Sequence, residues 1–177
     1  DNMQKACGFL GLPKEYCILQ DYEESFYYYV LPQKIETWNR SVGWYSFRDR
    51  HVTFRRMVLN AGNKPVPVML ETPVETDLSE DMEQRDADFY AFVQNTLSKE
   101  LYSSIQINGD GFDQEWAKKS VNLLCYQKRK LFYGNNLFAR GACAAGAERF
   151  ITHRLRDYRY MSRSLVLTSV GMEMRVM

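Results

Sequence analysis

The stretch SIQINGDGFDQEWAKKSVNLLC, residues 104–125, decides how the rest of the chain is read. Ser104-Ile105-Gln106-Ile107 reads as a buried strand, which stops at two glycines one residue apart. A helix is predicted over 114–125, with Trp116, Val121 and Leu124 as its inner residues. The turn between them, Gly109-Asp110-Gly111, has two readings. It is a tight strand-to-helix turn in which Asp110 or Asp113 caps the helix. Alternatively, its glycines let the backbone approach a ligand. Phe112 either stacks on that ligand or packs under the turn.

Working outward, residues 3–10 read as a helix ended by Gly11 and Pro13, and Tyr16-Cys17-Ile18-Leu19 as a buried strand. Asp21 is an N-cap for a helix through Val30, with Glu23 and Glu24 at its positive end and Pro32 as its stop. SVGWYSF (41–47), HVTFRRMVL (51–59) and VPVML (66–70) read as three strands joined by turns at RDR and AGNKP. The segment 71–88 carries eight acidic residues and one basic residue, so it starts as a loop and becomes a helix near Asp81. Phe89, Phe92, Val93, Leu97 and Leu101 then recur at helical spacing. Lys130–Tyr133 is a short strand, and Asn135 or Asn136 caps the helix LFARGACAAGAERF. The small residues of that helix, Gly141 among them, permit close backbone packing. From about Tyr158 the tail reads as two strands with a turn near Ser162.

From residue 41 the order is therefore strand-strand-strand-helix-strand-helix-strand-helix, an α/β arrangement with a mixed sheet in ribonuclease-H-like order. At 177 residues the chain suits one domain, or one domain with a piece of another. Its formal net charge of +1 supplies no global field for nucleic acid or membrane. No apolar run approaches the roughly 20 residues of a bilayer span. Cys7, Cys17, Cys125 and Cys143 are scattered without CxxC spacing, which fits reduced thiols and a cytoplasmic location. His51 and His153 lack partners at metal-ligand spacing, so no metal site and no histidine-based hydrolase is expected. The start without Met and the end in a strand-like run read as a piece of a longer protein.

That order resembles the superfamily of actin, sugar kinases and heat-shock-chaperone ATPases, which build two ribonuclease-H-like halves around a nucleotide cleft. Within it the chain resembles a group of uncharacterised bacterial proteins, mostly of Firmicutes, with an actin-like or chaperone-like ATPase domain. GLPKEYCILQDYEESFYYYVLPQKIETWN, SVGWYSF, SIQINGDGFDQEWAKKSVNLLC and GNNLFARGACAAGA carry the likeness along most of the chain. The resemblance implies that residues 1–40 hold the end of the first half and a connecting helix. Residues 41–155 would be the second half, and 156–177 a truncated C-terminal strand extension. It also implies ATP and magnesium as ligands of the full-length protein and the missing N-terminal half as partner, with no nucleic acid and no membrane insertion.

By position, EESFYYYV looks like the first connecting helix, where Glu24 would hold magnesium through water; without the family it is a helix-dipole carboxylate. Gly109, Asp110, Gly111 and Phe112 fall where the adenosine motif would be, and NNLFARGACAAGA looks like the second connecting helix. SVGWYSF falls at the second phosphate loop, but only Gly43 remains of its glycines and Asp49 lies at the hairpin tip. That departure argues against hydrolysis, and this chain alone is not expected to be an active ATPase. An alternative from another class is a degenerate ATPase fold serving as an interaction or scaffold module. Tyr27-Tyr28-Tyr29 face different sides of a helix and read as packing between the halves. The hairpin RDRHVTFRR reads as solvated, while Arg149, Arg154, Arg156, Arg159 and Arg163 face the acidic 71–88 segment, a partner or solvent.

Overall fold

In a computed structural model of the chain, residues 2–13, 15, 17–97 and 100–162 are described. Helix α1 (Asn2–Phe9) precedes α2 (Tyr22–Val30). Asp21 caps α2 by accepting the Glu24 N–H at 2.6 Å, as the sequence predicts. Strands β1 (Ser41–Arg48), β2 (His51–Leu59) and β3 (Val66–Leu70) follow. After them come β4 (Val74–Asp77), α3 (Met82–Leu97), β5 (Tyr102–Gly109) and α4 (Lys118–Leu124). The order closes with β6 (Lys130–Tyr133), α5 (Leu137–Ala147) and β7 (Tyr158–Tyr160).

The sheet runs β6-β5-β1-β2-β3-β7, with β4 also paired to β2. β2 is antiparallel to β1 and β3, whereas β5 and β6 run parallel to β1. This mixed α/β topology is compatible with a ribonuclease-H-like fold. Its third strand comes in two pieces: β3 pairs with Met57–Leu59 and β4 with His51–Phe54.

Alternation along the strands divides the core. Tyr45, Phe47, Phe54, Ile105 and Ile107 pack on one face against Phe89, Phe92, Val93 and Leu124 of α3 and α4. Val42, Trp44, Met57 and Val68 pack on the other against Phe26, Val30 and Leu137 of α2 and α5. There Phe26 stacks on Trp44, with centroids 4.6 Å apart and planes at 10°. α2 and α5 cross in backbone contact, since a Cβ at Gly141 would lie 1.9 Å from the Ser25 carbonyl oxygen. Tyr27 packs edge-on to Tyr28 and beside Tyr160, and Arg140 lies 5.3 Å from the Tyr29 ring centroid. The tyrosine run therefore packs within this chain, against α5 and β7.

Three expectations need correction. Cys17, Ile18 and Leu19 form no strand and Leu19 is half exposed; Tyr16 lies outside the described residues. Acidic Val74–Asp77 is a strand rather than a loop, because β2 offers it both a backbone ladder and the His51 side chain, which meets Glu75 and Asp77. The helix predicted over 114–125 starts only at Lys118. Asp113 instead ties off a separate turn by accepting the Glu115 N–H at 2.8 Å, and α4 is capped from α3. Asp86, buried on α3, accepts the N–H groups of Lys119 and Ser120 at 2.9 and 3.0 Å and the Ser120 hydroxyl at 2.6 Å. Of the two tail strands, β7 is described; residues 163–177, with Arg163, lie outside the described residues.

Charge pairing also differs from expectation. The basic hairpin is not simply solvated: Arg56 pairs with Glu71 and Glu100, Arg50 with Glu80, and His51 with Asp77 and Glu75. Among the described residues the acidic segment thus answers the hairpin rather than the C-terminal arginines. Among the described residues no helix is long and apolar enough to cross a membrane.

Candidate functional site

The glycine turn at 109–111 follows the end of β5 and lies against the β1–β2 hairpin. Gly109 has φ +106°, and a Cβ on it would meet the Phe47 carbonyl oxygen at 1.9 Å. A Cβ on Gly111 would meet the Asp49 carbonyl oxygen at 1.7 Å. Both glycines are thus required by protein backbone. Phe112 is 3% exposed and packs under the turn among Phe47, Phe89, Trp116 and Tyr133. Its ring is part of the core and is not offered to a base. Asp110 is exposed, with one long hydrogen bond of 3.4 Å from the Asp49 N–H.

Gly43 belongs to no phosphate loop. It lies inside β1, in register with Arg56 and Ile105 on either side. Its missing side chain makes room for Ile105 and Phe54, whose nearest atoms are 2.7 and 3.2 Å from an added Cβ. The hairpin turns at Asp49-Arg50, where Asp49 adopts φ 52° without any glycine.

A cleft of about 750 Å³ opens beside this turn, at the carboxyl ends of β1 and β5, on the α2–α5 side of the sheet. Its floor is set by register. Asn108 of β5 aligns with Ser46 of β1, which aligns with Thr53 of β2, which aligns with Glu75 of β4. One step further out, Arg48 aligns with His51 and His51 with Asp77. One step inward, Trp44 lies between Gln106 and Arg55. Asp21, Tyr22, Glu23, Asp110 and Phe138 complete the walls.

The inner wall is held by charge and aromatic contacts. The Arg55 guanidinium lies 5.4 Å from the Trp44 ring centroid and donates through Nε to Glu23 at 3.1 Å. The Trp44 indole N–H donates to Asn108 Oδ1 at 2.6 Å, with both residues buried. His51 shares a 2.8 Å hydrogen bond through Nδ1 with Asp77. Asn135 Oδ1 accepts the Gly109 N–H at 3.0 Å, tying the end of β5 to the approach of α5.

Of the site residues proposed from sequence, only Asp110 lines this cleft. Glu24 lies one helical step away, in a separate depression with Gln20, Tyr28 and Arg159. Burial raises its carboxyl above the ordinary range, Asp21 adds to the rise, and Arg149 partly opposes it. The α2 carboxylate that enters the cleft is Glu23. Trp44 and Ser46 entered the sequence reading only within SVGWYSF, Arg48, Thr53 and Arg55 only within the hairpin RDRHVTFRR, and Asn108 only within the 104–125 stretch. Alternation along 44, 46 and 48 and along 51, 53 and 55 was the available signal. Among the described residues no group of three or more His, Cys, Asp or Glu side chains is arranged to hold a metal ion.

The chain matches, over residues 1–163, the family described as "Family of unknown function (DUF5716) C-terminal", and it belongs to that family. A search of the curated proteins gives no match. Among solved structures it is similar to Thermus thermophilus RuvC, at 13% identity and TM-score 0.40, over 54% of this chain and 63% of that one. It is also similar to T. thermophilus RuvC in complex with a Holliday junction substrate, at 12% identity and TM-score 0.40, over 54% and 65%. The chain covers less than two thirds of the length of either. Likenesses at this level assign no activity.

Proposed function

We propose that the chain is the C-terminal half of an actin- or chaperone-like nucleotide-binding domain of the Firmicutes type, and that the cleft over β1 and β5 is its share of an adenine-nucleotide site. The observation that supports this most is position. From β1 the chain moves to β2 on one side, and from β5 to β6 on the other. The cleft at their carboxyl ends is therefore a topological switch point, where open α/β sheets take ligands. The crossing of α2 and α5 at Ser25 and Gly141 suits the paired connecting helices of that superfamily.

ATP and magnesium come to this reading from the resemblance, and the first half of the domain is the partner that would close the cleft in the cytoplasm. The residues favour binding over turnover. The hairpin has no glycine for backbone phosphate wrapping, and Glu24 faces away from the cleft. Calorimetric titration of this chain and of the full-length protein with ATP and magnesium tests the reading. Saturation by the full-length protein is expected, with weaker binding or none by this chain. Absence of saturation by either at millimolar nucleotide overturns it.

A second reading, an interaction or scaffold module on a degenerate ATPase fold, is favoured by the adenosine turn itself. Its glycines serve backbone packing and Phe112 is buried in the core. Capture of partners from source cells by the wild type and by a charge reversal of Arg149, Arg154 and Arg156 tests it. Retention of every partner by the reversed protein removes that surface from consideration.

A further inference from the structure

We infer that the cleft binds a phosphoryl group through side chains of the sheet floor, namely Asn108, Ser46, Thr53 and Arg48, in place of a glycine loop; the inference rests on the nucleotide reading above for the identity of the natural ligand. Three observations carry it. The first is alignment. Asn108, Ser46 and Thr53 stand side by side on three adjacent strands, and Arg48 lies one step further along the same face of β1. Neighbouring strands are about 4.8 Å apart, a spacing at which adjacent side chains can share the oxygens of one tetrahedral anion.

The second is the orientation of Asn108. An indole N–H only donates, so the amide atom facing Trp44 is the oxygen. Asn108 lines the cleft, and among the described residues its amide nitrogen meets no protein acceptor. Asn108 is 5% exposed. A buried amide with a fixed donor end directed at a cleft is a binding group prepared before the ligand arrives.

The third is charge. Arg55 is neutralised by Glu23, and His51 is bonded to Asp77. Among the described residues Arg48 has no ion-pair partner, and Ser46 and Thr53 have no hydrogen-bond partner. Asp21, Glu75 and Asp110 on the rim oppose an anion, so Arg48 decides whether one is held. A guanidinium provides several N–H donors in a plane that matches phosphate oxygens.

The test is calorimetric titration of the full-length protein with ATP plus magnesium, with adenosine, and with tripolyphosphate. The proteins are wild type, Arg48→Gln, Ser46→Ala and Trp44→Phe, each checked for an unchanged circular dichroism spectrum. ATP is expected to bind at least tenfold more tightly than adenosine. Arg48→Gln should weaken ATP and tripolyphosphate about tenfold and leave adenosine unchanged. Ser46→Ala should weaken the same two ligands severalfold. Trp44→Phe, which keeps the ring but frees the Asn108 amide to rotate, should do likewise. If ATP affinity stays within twofold in all three variants, the phosphoryl subsite is overturned while the nucleotide reading stands. Tripolyphosphate binding that depends on Arg48, without any binding of ATP or adenosine, upholds the subsite and sinks the nucleotide reading. No binding of any of the three ligands overturns both.

Discussion

Gly109→Ala separates a glycine kept for folding from a glycine kept for a ligand. The new Cβ would meet the Phe47 carbonyl oxygen at 1.9 Å and its carbon at 2.7 Å, whereas carbon atoms pack at about 3.5 Å or more. Relief requires β1 and β5 to part by over about 1 Å at the end they share, where Phe47 is paired with Gly109. Overpacking of this kind costs about 1–3 kcal/mol. Alanine at φ +106° adds backbone strain of about 1–3 kcal/mol. The sum, about 4 kcal/mol, is a large part of the roughly 5–15 kcal/mol that holds a domain together. For a chain of this size it corresponds to a fall in Tm of about 8–16 °C. Urea unfolding followed by tryptophan fluorescence and by circular dichroism measures it directly. Gly111→Ala, whose Cβ would lie 1.7 Å from the Asp49 oxygen but whose φ is not positive, isolates the crowding contribution. A loss below about 1 kcal/mol for Gly109→Ala would refute the reasoning and return the turn to the ligand.

Asp86→Ala should cost about 3 kcal/mol, because the part-buried Lys119 N–H and the buried Ser120 N–H and hydroxyl lose one shared acceptor. Asp86→Asn, which keeps one oxygen, should lose less, and an alanine within about 1 kcal/mol of wild type in urea would contradict the cap. Gly141→Ala and Gly146→Ala should differ in sign. The first drives a Cβ into the Ser25 carbonyl, while the second has nothing within 4 Å and gains up to about 1 kcal/mol of helix propensity; thermal melts that move the same way would count against close α2–α5 packing. Glu24→Gln should raise Tm near pH 7. The raised carboxyl of Glu24 contributes stability only while protonated, and that contribution is lost as pH rises through its folded value. The gain should vanish near pH 4, where wild-type Glu24 is largely neutral, about its ordinary range; a gain of equal size at both pH values would show that its charge is irrelevant.

Much of the fold could be read from punctuation and period. Asp21, Pro32, the RDR turn and the alternation of β1 and β2 set the element order before any contact is known. The site was harder to read because it is made by register. Nothing in the sequence says that residue 108 stands beside residue 46, or 46 beside 53, until β5 pairs parallel to β1 in that alignment. Glu23 and Glu24 serve equally well as acids in a first helical turn, and only the roll of α2 sends Glu23 to Arg55 and Glu24 elsewhere. β4 was missed because its sequence, VETD, lacks apolar alternation; the ladder to β2 and the His51 contacts to Glu75 and Asp77 hold it instead. Asp86 did leave a trace. It falls on the same helical stripe as Phe89 and Val93, and an acid on a buried stripe asks for a donor.

The position of the polar floor follows from the lengths of the elements that cover the sheet. α2 has 9 residues and spans only about 13 Å, while α5 has 11 and runs on into a helical turn over Glu148–Thr152. β1 has 8 residues and runs about 26 Å. α2 therefore cannot cover its whole face. Along that face the residues change where cover ends: Val42 and Trp44 are buried, Ser46 is half-buried and Arg48 is exposed. On β5 the same face carries Ser104, Gln106 and Asn108, all buried. Polar groups this close to an edge of cover need partners, and each is supplied differently. Ser104 donates to the Thr37 carbonyl. Asn108 receives the Trp44 N–H and keeps its own donor end turned outward. A row required only for solubility would be satisfied by water and need no indole to fix one amide. That single fixed group separates the carboxyl end of β1 and β5 from an ordinary solvated sheet margin.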